Sequence, residues 1–156
     1  MPGVVDARLK DLGIELPKPA PAAANYVPFV VSRGHVFVAG QVPFGPDGNL
    51  HYQGKVGAEF SVDEGQEAAQ LCALNILAQV KAACDGDLDR VVRCIKLGGF
   101  VNCPPDFDQH PAVINGASDL MVAVLGDKGR HSRFAVGVAN LPFNVAVEID
   151  AVFEIA

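Results

Sequence analysis

No two of the four cysteines, Cys72, Cys84, Cys94 and Cys103, stand at C-x-x-C spacing, and His35, His51, His110 and His131 are isolated from them and from one another. A zinc site or a disulfide framework has nothing to build on, so reduced thiols buried as small hydrophobes are expected, and no metal. Charge is also scarce, at 19% of residues against 50% hydrophobic. A chain so poor in charge is expected to cover apolar surface with another subunit, as a homo-oligomer. The 12 Lys plus Arg are scattered and outnumbered by 18 Asp plus Glu, for a net charge of −6. Without a basic cluster to neutralise several phosphates at once, nucleic acid and anionic membrane are disfavoured as partners. No apolar stretch reaches the ~20 residues of a membrane span, and Met1 to Lys10 lacks the apolar core of a signal peptide, so the cytoplasm is the expected location.

What is present fits one domain, since 156 residues suffice for a core of their own. Residues 4 to 12 read as a short helix. Pro17, Pro19 and Pro21 among alanines then make a stiff extended connector, which divides the chain into 1–25 and 26–156. Tyr26 to Ser32 and His35 to Ala39 read as hairpin strands about the turn Arg33-Gly34. Ser61-Val62-Asp63-Glu64 has the form of a capping box, and Ala69, Ala73, Ile76, Leu77 and Val80 recur behind it at helical spacing. Val91 to Val101 reads as a strand, 111 to 125 as a second helix carrying Ile114, Ala117, Leu120, Met121 and Val124 inward, and 133 to 139 and 145 to 155 as two final strands. The order β-β-α-β-α-β-β predicts an α+β fold with two helices on one face of a mixed sheet, and leaves the other face needing cover.

Two charged residues interrupt apolar strands. Arg133 opens a strand whose other same-side residues, Ala135, Gly137 and Ala139, have almost no side chain. A guanidinium with space around it offers five donors in a rigid fork, the geometry that grips a carboxylate bidentately. Glu148, within Val145 to Phe153, supplies an acceptor able to position a water or a polar ligand atom. Plainer readings exist for each: a surface ion pair for Arg133, and a partly exposed strand residue beside Asp150 and Glu154 for Glu148. His110 and His131 flank loops and read as solvated.

Three stretches together resemble the RidA/YjgF family, also labelled endoribonuclease L-PSP-like. They are Ala39-Gly40-Gln41-Val42-Pro43; Arg133 with Val136, Leu141-Pro142 and Val147-Glu148-Ile149-Asp150-Ala151; and Tyr26 fourteen residues before Gly40. The resemblance runs from about Tyr26 to the C-terminus, with the preceding helix and connector as the mark of a longer branch. It implies a chorismate-mutase-like (ferredoxin-like) α+β fold assembled as a trimer, with three clefts between subunits. It also implies a hydrolase that deaminates 2-imino and 2-enamino acids, such as 2-aminoacrylate, to 2-keto acids plus ammonia, using no metal or organic cofactor. Carried onto this chain, the family's carboxylate-binding arginine falls on Arg133 and its water-orienting glutamate on Glu148. Tyr26 lines the cleft, Gly40 offers a backbone contact and Asn115 is the polar residue of the second helix. Ala39 and Ala135 depart from the family, standing where many members have Ser and Cys, and both remove polar groups from the cleft.

A small carboxylate or imino acid is therefore the expected ligand. Two other functions compete with deamination: a non-catalytic sensor of small carboxylates using the same cleft, and ribonuclease action, which the acidic charge balance opposes. Tyr26 also reads as a rim aromatic, and Asn115, off the apolar stripe of its helix, as a solvent-facing residue.

Overall fold

In a computed structural model describing residues 3–156, Ser61 begins the longest helix in the way its sequence predicts. The backbone N–H of Glu64 donates to Ser61 Oγ, and the N–H of Ser61 donates to Glu64 Oε1, both at 3.1 Å. Two N–H groups that a helix start leaves unpaired are thus satisfied reciprocally. The helices are α1 (Val4–Asp11), α2 (Val62–Ala83) and α3 (His110–Leu125). The strands are β1 (Phe29–Ser32), β2 (His35–Gln41), β3 (Val91–Asn102), β4 (Ser132–Val138) and β5 (Val147–Ile155). They form one sheet in the order β1-β2-β5-β3-β4, antiparallel except where β4 lies parallel to β3. The mixed α+β architecture expected from the sequence is the one observed.

Strand alternation sorts the sheet into two faces. Along β5, Val147, Ile149, Ala151, Phe153 and Ile155 are buried, while Glu148, Asp150, Val152 and Glu154 point the other way. The buried side packs against α2 and α3, whose stripes, including Ile76, Leu77, Val80, Ile114, Met121 and Val124, have no solvent exposure. The four cysteines are buried free thiols. On the opposite face Val30, Phe37, Phe134 and Val136 stand exposed, the uncovered apolar surface that the low charge content anticipated. Among the described residues no helix is long and apolar enough to cross a membrane.

Helices α2 and α3 approach closely where Gly116 sits. A Cβ there would overlap the backbone of Gln66, whose position is fixed by α2 itself. Because backbone cannot yield as a side chain can, Gly116→Val is expected to destabilise the protein by about 3 kcal/mol. Urea unfolding should show it as a fall in midpoint at unchanged slope, and a variant as stable as the parent would mean that the helices separate freely.

The start of the first strand differs from the sequence reading. Strand β1 begins at Phe29 rather than Tyr26, because the chain turns first, with Tyr26 N–H donating to Ala24 O at 2.9 Å. The N-terminal helix packs into the core. Val5 and Leu9 are buried, the Asp89 carboxylate accepts from the N–H groups of Val4 and Val5 at 2.9 and 3.0 Å, and Arg8 Nη1 donates to Val124 O at 3.0 Å. The Pro-rich connector has no regular structure, yet Gln79 Nε2 donates to Ala20 O at 2.8 Å.

Candidate functional site

Strand β4 closes one side of the sheet, and nothing among the described residues pairs with its outer edge. Its register pairs Arg133 with Leu97, Ala135 with Gly99 and Gly137 with Val101. Leu97 and Val101 are fully buried, and Gly99 lies under Ile114, so this side faces the helices. Arg133, Ala135 and Gly137 therefore share the helix side, as the alternation predicted, and Ala139 lies beyond the end of the strand.

The half-buried Arg133 guanidinium is held by one helix. Nη1 donates to Asn115 Oδ1 at 2.9 Å and to Ser118 Oγ at 3.0 Å, while Nη2 donates to the carbonyl oxygen of Pro111 at 2.9 Å. That uses three of the five N–H donors and leaves one on Nε and one on Nη2, neighbours along one edge of the fork. No carboxylate among the described residues pairs with it. A cation removed from part of its water and given only neutral acceptors favours an anion at its free edge. The off-stripe phase of Asn115 is what turns it toward Arg133.

Ser118 and His131 extend this holder, and neither was legible as part of it. His131 Nδ1 lies 2.6 Å from Gly129 O, so Nδ1 carries the proton, and Nε2, 2.9 Å from Ser118 Oγ, accepts from the hydroxyl. The oxygen of Ser118 is thereby turned to Arg133. His131 is half-buried in this network, not solvated as its loop position suggested. Burial pushes its pKa below the ordinary 6.5, with the Arg133 charge acting the same way and the Gly129 bond opposing. Folding thus excludes a proton from His131. Its contribution to stability is present above the unfolded value and is lost as pH falls through the folded one. Between about pH 7.5 and about pH 5, the parent should lose more thermal stability than His131→Gln. Equal losses in the two proteins would remove this account.

His110 likewise departs from the solvated reading. It opens α3, with Nε2 3.4 Å from Cys103 Sγ and its ring edge-on to Phe107 at 5.2 Å between centroids.

Glu148 stands on the other face of the sheet, paired in register with Phe100. Its carboxyl lies over Gly40, where a Cβ would stand 3.0 Å from the carboxyl carbon and push the carboxylate aside. Burial, and then the charge of Asp150, raise the Glu148 pKa above the usual carboxylate value. Tyr26, 51% exposed, precedes β1. One chain thus gathers Arg133, Asn115 and Ala135 on its helix side and Glu148 with Gly40 on the opposite side. The sheet separates the two sets.

The sequence profile described as "YjgF/chorismate mutase-like, putative endoribonuclease" matches residues 6–154. Protein TCP17 of Trypanosoma cruzi is 50% identical over 154 residues, covering 98% of this chain and 95% of that protein. A crystal structure of an Agrobacterium tumefaciens protein of unknown function is 52% identical with a TM-score of 0.90, covering 98% of this chain and 94% of that one. One from Shewanella oneidensis, described by the same endoribonuclease phrase, is 36% identical with a TM-score of 0.94, covering 98% and 100%. Matches of this extent run through α1 as well as the domain behind it.

Proposed function

Because the chain belongs to the YjgF/chorismate mutase-like family, we propose that it hydrolyses 2-imino and 2-enamino acids to 2-keto acids and ammonia, in clefts between the copies of a cytoplasmic homotrimer. The observation that carries this reading is the Arg133 fork, held by neutral acceptors, without a carboxylate partner among the described residues, and with two adjacent donors left over. A 2-imino acid presents the complementary pair of carboxylate oxygens beside its reactive carbon.

An imine conjugated to a carboxylate is already electrophilic, so orientation is the protein's main contribution. Arg133 fixes the carboxylate. Glu148, contributed by a neighbouring copy, accepts a proton from water as the water oxygen bonds to the imine carbon. It passes that proton to the nitrogen, giving a carbinolamine, and then carries the carbinolamine's hydroxyl proton to the nitrogen as the carbon–nitrogen bond breaks and the carbonyl forms, leaving a keto acid and ammonia. A carboxyl whose pKa is raised by burial is better matched to this two-way transfer than an ordinary one. Tyr26 and Gly40 complete the Glu148 side of the cleft, and Asn115 and Ala135 the Arg133 side. The test is ammonia release from freshly generated 2-aminoacrylate; its absence at every substrate concentration would reject the reading.

The small residues Ala39 and Ala135 favour a second reading, a sensor that binds a small carboxylate without turning it over. Calorimetric binding of pyruvate or 2-ketobutyrate with no ammonia release from the imines would select it. Ribonuclease action draws no support from a chain of net charge −6 without a basic groove.

A further inference from the structure

A cavity of about 550 Å3 opens beside Gly137, lined by Lys55, Cys103, Pro104, Phe107 and His110 among others. It adjoins the Arg133 holder without sharing a lining residue with it. Gly137 continues the row Arg133, Ala135 on the helix side of β4, and the Pro111 carbonyl that receives Arg133 Nη2 is one peptide away from His110. Its volume lies within the ~300 to 1,000 Å3 of pockets that enclose whole organic ligands, far more than a methyl group needs.

From this continuity we infer that the cavity takes the side chain of the acid whose carboxylate Arg133 grips, and that this side chain is large and apolar, of phenyl size. The inference rests on reading Arg133 as a carboxylate anchor and adds the class of substrate. Its walls suit such a group. Phe107 and His110 already meet edge to face, an arrangement a third ring can extend. Burial raises the Cys103 thiol pKa, keeping that wall uncharged at neutral pH. Lys55, the cation at the rim, donates to Asn102 Oδ1 at 2.6 Å and to Ala139 O, so two of its three donors are engaged within the chain. Gly137 is the specificity-determining position, because a Cβ there would stand 2.5 Å from His110 Nε2 and 2.8 Å from Cys103 Sγ.

Calorimetry with pyruvate and phenylpyruvate tests the cavity, and ammonia release from alanine- and phenylalanine-derived imines tests the chemistry. Phenylpyruvate is expected to bind about tenfold or more tightly than pyruvate. That ratio should collapse in Gly137→Val and shrink in Phe107→Ala, the second variant standing in should valine disturb the fold. Equal affinities in the parent, or an undiminished ratio in both variants, would overturn the inference. A retained ratio with no ammonia from either imine would sink the deaminase reading while the cavity assignment survives. Ammonia from the small imine alone, with no binding preference, would do the reverse.

Discussion

Arg133→Ala is expected to lower kcat/KM for imine hydrolysis by about 100- to 10,000-fold, the loss of two charge-assisted hydrogen bonds worth ~1.5 to 3 kcal/mol each. The protein should remain folded, since the acceptors left behind, Asn115, Ser118 and the Pro111 carbonyl, lie at an open strand edge where water can replace the guanidinium. Arg133→Lys should recover little. An ammonium has three donors and no plane, so it cannot bond three helix acceptors and still present two parallel N–H groups to a carboxylate. Steady-state ammonia release with circular dichroism on the same samples checks both variants. A folded Arg133→Ala protein with undiminished turnover would end the assignment.

Glu148→Gln is expected to lower kcat by about 100- to 10,000-fold with little change in KM, because the group moves protons and does not hold the acid. The placement of the two residues on opposite faces of one sheet adds a sharper experiment. If each cleft takes Arg133 from one copy and Glu148 from the next, neither variant is active alone, but subunit exchange between them restores intact clefts. An equal mixture should regain up to about a quarter of the parent's activity after dissociation and reassembly. No recovery in verified mixed oligomers would mean that the two residues do not meet across copies.

The helices and their buried stripes were legible because a capping box and a 3.6-residue period are local signals, as Ser61, Glu64 and the α3 stripe illustrate. The small-residue row behind Arg133 was legible too, since alternation along one strand fixes which residues share a side. Three features depended on what lies opposite in space. Tyr26 falls outside β1 because the backbone turns before pairing can begin. His131 and Ser118 are thirteen positions apart, and only the antiparallel run of α3 past β4 brings them to one guanidinium. The sequence placed Arg133 and Glu148 on neighbouring strands in chain order; spatially β3 lies between β4 and β5, and the period-2 phase turns the two side chains to opposite faces.

That all three acceptors of the Arg133 fork come from the single helix α3 has a consequence for binding speed. The flexible stem of an arginine normally has several rotamers to lose when a ligand arrives. Here that freedom is surrendered when the helix docks on the sheet, so capture needs no rearrangement of the receiving group. Crystals grown with and without a keto acid should superpose at this side chain, and association should be limited by how often the acid encounters the opening.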